Sequence, residues 1–156
     1  MESNIYQKNS GQGKVFGVVR ARFNYEFTQG LLDNCLKTLK EAGVMEKDIE
    51  VVEVPGSVEL AYALDQLARH NRFHALIALG AIIKGATPHF DYISKSVMDG
   101  IRELTLKHNL PIIAGVITCL NREQAIERSV PGPLNRGVEA AEVALEMAAL
   151  KEKRGW

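Results

Sequence analysis

Apolar and polar positions follow one another along the chain in blocks whose period keeps changing. Lys14 to Arg20 (KVFGVVR) is a short apolar run, as expected of a strand buried on both faces of a parallel sheet. From Glu26 to Ala42 the residues Phe27, Leu31, Cys35 and Leu39 recur at helical spacing, with Leu32 and Leu36 beside them. This predicts an amphipathic helix closed by Gly43. Ile49 to Val54 is a second strand, broken by Pro55-Gly56. Ser57 is then expected to cap a helix carrying Leu60, Ala61, Leu64, Leu67 and Ala68. Ala75 to Ala81 predicts a third strand, Phe90 to His108 a long helix, and Ile112 to Thr118 a fourth strand. Asn121 caps a short helix ending near Ser129, and beyond the loop VPGPLNRG a last helix runs from Gly137 to Lys151.

Strand and helix therefore alternate four times, with no repeat, linker or low-complexity stretch between them. This order implies right-handed crossovers, a four-stranded parallel sheet and helices on both of its faces: a three-layer α/β/α domain over residues 14–156. Residues 1–13 are polar and read as a tail, or as a strand lent to a neighbour. In open parallel sheets ligands bind beyond the carboxyl ends of the strands, so the loops after the strands hold the chemistry.

Composition narrows the function classes. The chain has 156 residues, 46% of them apolar, enough for one well-filled core. Nineteen basic residues balance nineteen acidic ones, which argues against a nucleic-acid or membrane-surface partner. The N-terminal residues lack the apolar core of a signal peptide. Cys35 and Cys119 lie in apolar segments, at a spacing that suits neither a disulfide framework nor a zinc knuckle. Together these point to a cytoplasmic protein. No His/Cys/Asp cluster has metal-ligand spacing, and neither G-x-x-x-x-G-K-[ST] nor G-x-G-x-x-G occurs, so no metal or cofactor is expected.

The loops are more specific. After the first strand, Phe23 stands between Arg22 and Asn24, where it can stack on a flat heterocycle or simply cap the core. After the second, PGSVE joins a glycine to the first amides of a helix, and Glu59 can either bind ligand hydroxyls or complement the helix dipole. After the third, IKGATPHFDY brings Gly85, Ala86 and Thr87 to a helix start, a combination of free amides, a hydroxyl and a dipole that suits a phosphate. His89 follows at once and is a candidate for proton transfer. Arg128 and Arg136 flank the late loop and can fork onto a phosphate. His70, His74 and His108 read as surface residues at helix ends.

The segments ARFN, VPGSVEL, ALGAIIKGATPHFDYI, GVIT, EQAIER, NRGVEAA and ALEMA, in this order from about Val15 to Leu150, resemble the lumazine synthase family of riboflavin biosynthesis. The resemblance implies a flavodoxin-like fold and a transferase reaction without a cofactor. In that reaction 5-amino-6-(D-ribitylamino)uracil condenses with 3,4-dihydroxy-2-butanone 4-phosphate, releasing phosphate and water. Carried onto this chain, it implies that Phe23 stacks on the pyrimidine beside Asn24. Ser57, Val58 and Glu59 would hold the pyrimidine edge and ribityl chain, and Ala81, Ile82 and Ile83 would line the ring pocket. Gly85, Ala86 and Thr87 would take the phosphate, Arg128 would close on it, and His89 would move protons.

Three positions depart from the family pattern. Val58 replaces an aromatic, Ala114 replaces a phenylalanine facing the ring from the adjacent subunit, and Arg136 replaces a lysine beside the phosphate site. Val58 and Ala114 raise a non-catalytic, flavin-precursor-binding shell protein as an alternative, and the shared scaffold raises an archaeal-type riboflavin synthase. The intact GATPH loop argues against the latter. The family also implies a homopentamer, with the N-terminal segment adding a strand to a neighbouring subunit. Pentamers can further assemble into a pentamer pair or a capsid, and riboflavin synthase is an expected partner.

Overall fold

The computed structural model describes residues 5–156. The element order is β1 (Phe16–Ala21), α1 (Tyr25–Glu41), β2 (Ile49–Val54), α2 (Leu60–Ala68), β3 (Ala75–Ile83), α3 (His89–His108), β4 (Ile112–Cys119), α4 (Arg122–Ser129) and α5 (Arg136–Arg154). All strand pairings are parallel and the sheet order is β2-β1-β3-β4. This is the expected flavodoxin-like, three-layer arrangement.

Alternate residues of each strand face opposite layers. Phe16 and Val18 of β1, with Ile77 and Leu79 of β3, join one core with Leu31, Cys35 and Leu39 of α1 and Ala141, Ala144 and Leu145 of α5. Val19, Leu76 and Ala78 join the other with Leu60 and Leu64 of α2 and Val97 and Ile101 of α3. β3 is central and buried along nearly its whole length. Fully burying each of its leucine and isoleucine side chains contributes about 1.5–3 kcal/mol. Small residues let α5 approach α1: a Cβ on Gly137 would lie 2.0 Å from the Leu31 carbonyl oxygen, so only glycine fits there.

The connection after β1 runs outward to β2, whereas that after β2 crosses back to β3. The strand order therefore reverses between β1 and β3, and the loops at their carboxyl ends part to leave a crevice.

Local details differ from the sequence reading. Lys14 and Val15 precede β1 rather than belong to it, and Val15 N–H donates to His74 Nδ1 at 2.9 Å. β3 runs two residues further than expected, to Ile83. Ser57 does not cap α2. Residues 57–59 form a single 3-10 turn that runs on into α2, leaving no extended residue from which a hydroxyl could reach the first amides. Asn121 does cap α4, accepting from Gln124 N–H at 2.9 Å. His74 and His108 are half-buried and partnered rather than free at the surface, because each meets a group distant in sequence: Val15 for His74, and Asp65, 2.8 Å from Nε2, for His108. Residues 5–15 form no strand within the chain. Tyr6 and Gln7 lie against α5, bonded to Glu139 and Glu146. The expected lent strand requires a second copy, and its first four residues lie outside the described ones.

Candidate active site

The crevice at the switch point is a pocket of about 410 Å3. Three loops and the start of α3 enclose it. Phe23 and Asn24 come from the loop after β1, and Gly56, Ser57, Val58 and Glu59 from the loop after β2. Ala81, Ile82 and Ile83 form its floor, and Gly85, Thr87, His89, Phe90 and Ile93 its far wall. Phe90 and Ile93, one helical turn apart, were not singled out in the sequence; their i, i+3 spacing was the available signal.

The loop after β1 is fixed by its backbone. Arg22 N–H donates to the Val54 carbonyl at 2.8 Å and Phe23 N–H to that of Pro55 at 2.9 Å. Asn24 takes the left-handed conformation (φ 58°), and its side-chain amide donates to the Ala81 carbonyl at 2.8 Å. Asn24 thus ties this loop to the end of β3. Phe23 does not cap the core: its side chain is 71% exposed, its face open to a planar partner.

Across the pocket Gly80 fixes Ser57. A Cβ there would fall 2.6 Å from Ser57 Oγ, so the hydroxyl packs directly on the β3 backbone. The Glu59 carboxylate lies back over Gly56, and it accepts no hydrogen bond from the described residues. It is exposed at the pocket edge with free acceptor capacity. Val58, 52% exposed, leaves that rim open.

Gly85, Ala86 and Thr87 are exposed at the start of α3, a 20-residue helix whose unpaired amides and dipole favour an anion. His89 is the first residue of that helix, and its N–H lies 3.4 Å from Thr87 Oγ1. One pocket thus brings together an exposed aromatic ring, a carboxylate with no hydrogen bond from the described residues, the start of a helix and an imidazole, groups whose chemistry suits a ligand planar at one end and anionic at the other.

Ala114, Arg128 and Arg136 lie elsewhere. They line a second pocket of about 530 Å3 along the outer side of β4, together with Thr118, Glu139 and Val143, and the two pockets share no lining residue. Arg128 lies along its own helix, Nη1 donating to the Gln124 carbonyl at 3.1 Å and to Glu127 at 3.2 Å. Arg136 pairs with Glu139, which also accepts from Tyr6 Oη at 2.5 Å. The Glu139 bond is the main reason that the Tyr6 hydroxyl is pushed up to about 12. Burial pushes the Glu139 carboxyl upward, but the hydrogen bonds from Tyr6 and Arg136 outweigh it and hold the group below its ordinary range. Burial likewise raises the Cys119 thiol, against the pull of Arg128 and Arg136, and pushes Cys35 up to about 12. Neither thiol is therefore poised as a nucleophile. Among the described residues no group of His, Cys, Asp and Glu could hold a metal, and no helix is long and apolar enough to cross a membrane.

Fold and pocket define a flavodoxin-like α/β protein with a pocket at the switch point of its sheet, where such folds hold small molecules. Residues 13–152 match the family model described as 6,7-dimethyl-8-ribityllumazine synthase, and the chain belongs to that family. Among its relatives is the 6,7-dimethyl-8-ribityllumazine synthase of Aquifex aeolicus, 44% identical over 147 residues, a match that covers 94% of this chain and 96% of that one. The chloroplastic enzyme of the same name from Arabidopsis thaliana is 41% identical over 142 residues, or 91% of this chain. The chain spans 63% of the Arabidopsis protein's length.

Proposed function

We propose that the chain condenses 5-amino-6-(D-ribitylamino)uracil with 3,4-dihydroxy-2-butanone 4-phosphate to give 6,7-dimethyl-8-ribityllumazine, phosphate and water. The observation that carries this reading is the junction, in one pocket, of Phe23 and Glu59 with Gly85, Thr87 and His89. The pyrimidine stacks on Phe23. Its ribityl hydroxyls donate to Glu59, and Ser57 and Val58 border its edge. The α3 amides and Thr87 hydroxyl hold the phosphate of the ketone. The amine attacks the ketone carbon and water leaves as the imine forms, with His89 carrying the protons; phosphate is then eliminated into the cradle, and the ribitylamino nitrogen closes the ring on the remaining carbonyl carbon with loss of a second water. Juxtaposing the two reactants can itself supply about 7–11 kcal/mol of the barrier. Neither the shell-protein nor the riboflavin-synthase alternative is favoured by the family match.

The reading includes a site shared between subunits. Arg128, Arg136 and Ala114 of one copy would face the Phe23–His89 pocket of the next, Arg128 closing on the phosphate. The two separate pockets support this, as do the free edges of β2 and β4 and the high exposure of Tyr62 (74%), Tyr92 (74%) and Leu106 (76%). A homopentamer is the assembly proposed, with capsid formation, an N-terminal strand paired to a neighbour, and association with riboflavin synthase as its further elements. Two buried cysteines without a disulfide support a cytoplasmic setting.

Arg128→Ala tests the phosphate assignment. It should weaken binding of the ketone phosphate by about 1.5–3 kcal/mol, the worth of a charge-assisted bond, and leave pyrimidine binding unchanged. Equal loss of both affinities would contradict the assignment.

A further inference from the structure

We propose that Arg20 is a positioning residue for the pyrimidine half of the site, an inference that rests on the function proposed above. Arg20 lies in β1, on the face that Phe16 and Val18 pack against α1, and is 1% exposed. Its guanidinium joins three elements. Nη2 pairs with Glu53 of β2, Nη1 donates to Gln29 of α1 at 3.1 Å, and the group stacks over the Tyr25 ring at 4.7 Å from its centroid. Nε is buried and finds no hydrogen-bond partner among the described residues.

A buried cation with one donor unpaired is an expensive way to fill a core. An apolar side chain of similar length would serve packing alone as well or better. What the fork adds is geometry. Tyr25 opens α1 immediately after Phe23 and Asn24. Glu53 lies one residue before Val54 and two before Pro55, the residues whose carbonyls hold the Arg22 and Phe23 amides. Ser57–Glu59 follow after Gly56. Arg20 therefore fixes the two loops that present Phe23 and Glu59 to each other. The Arg20 backbone pairs with β3, but none of the guanidinium's partners belongs to β3, α3 or the Gly85–Thr87 cradle. Loss of the guanidinium should misplace the stacking ring against the carboxylate and leave the phosphate half in place.

The test is steady-state kinetics on R20M, R20K and E53Q, varying each substrate in turn. R20M should raise KM for the ribitylaminouracil roughly tenfold or more, with KM for the ketone phosphate and kcat at saturation within about twofold of wild type. R20K keeps the charge without the fork and should fall between R20M and wild type. Equal rises in both KM values, or no rise in either, would overturn the proposal when circular dichroism and thermal midpoint match wild type. Should R20M fail to fold, E53Q decides. Glu53 is half-exposed and glutamine keeps its length, so E53Q removes no apolar packing while weakening the pair with Arg20; a selective rise in the same KM is expected, and an unchanged KM refutes the idea. Calorimetric titration of the ribitylaminouracil alone separates this claim from the functional reading. If wild type binds it but forms no lumazine, the function fails while the comparison with R20M still reports on Arg20. If wild type does not bind it, both fail.

Discussion

Consider two variants, Phe23→Ser and Arg128→Ala, each expected to assemble and each expected to be nearly inactive alone. Phe23 lines the switch-point pocket and Arg128 the pocket along β4, with no residue common to the two linings. If one catalytic site draws Phe23 and His89 from one subunit and Arg128 from its neighbour, rings made of either variant lack a complete site. In a closed ring every interface is heterologous and has a direction. An interface in a mixed ring works only when the Phe23 side belongs to an Arg128→Ala subunit and the Arg128 side to a Phe23→Ser subunit. Random mixing in equal amounts makes each condition true half the time, so about one interface in four is competent. After joint unfolding and refolding, lumazine formation per subunit should recover to roughly a quarter of wild type, whereas mixing preformed assemblies should restore little unless subunits exchange. Mass spectrometry of distinguishably tagged variants would verify that the rings are mixed. Verified mixed rings with no more activity than either parent would refute the division of the site.

Two further predictions concern protons. His89→Ala should lower kcat by about 10²-fold or less, since general acid–base groups contribute at that level; a kcat equal to wild type from about pH 5 to about pH 9 would remove His89 from the mechanism. Bonds from His108, then Lys107 and Arg69, hold the Asp65 carboxyl well below the usual aspartate range. Its folded value is depressed, so its contribution is complete above the unfolded value and is lost as pH falls toward the folded one. Asp65→Asn should therefore cost about 1 kcal/mol near neutrality, this being a partly solvated network, or roughly 2–4 °C of Tm. The gap should narrow below about pH 4, and calorimetry showing a constant gap down to about pH 3 would contradict the assignment.

The strands and most of the helices were legible because their signals are local. ALIALGA could only be a buried strand, and the spacing of Phe27, Leu31, Cys35 and Leu39 named the buried face of α1, all of which the structure buries. The pocket between the loops after β1, β2 and β3 was legible because a parallel sheet opens a crevice at the carboxyl ends of its strands where their order reverses. What the sequence hid depends on partners far along the chain. Arg20 stood at the end of the first apolar run with no partner assigned to it, and it is buried because Glu53 and Gln29 meet it there. His108 looked solvent-facing, yet Asp65, 43 residues away, holds it. Ser57 had the residue type of a cap, but the turn it enters continues into α2 and gives the hydroxyl no amide to serve. The separation of Arg128 from His89 could not be read from their order, since it arises from how α4 and α5 fold back along β4.

The central claim is that this chain makes 6,7-dimethyl-8-ribityllumazine in a site holding both substrates. Purified protein should be mixed with the ribitylaminouracil and the ketone phosphate, recording lumazine absorbance and inorganic phosphate together. Both products should rise in equal amounts, well above the rate without protein, and neither should rise with one substrate alone. Phosphate release without lumazine, or a rate equal to the uncatalysed one, would contradict the central claim.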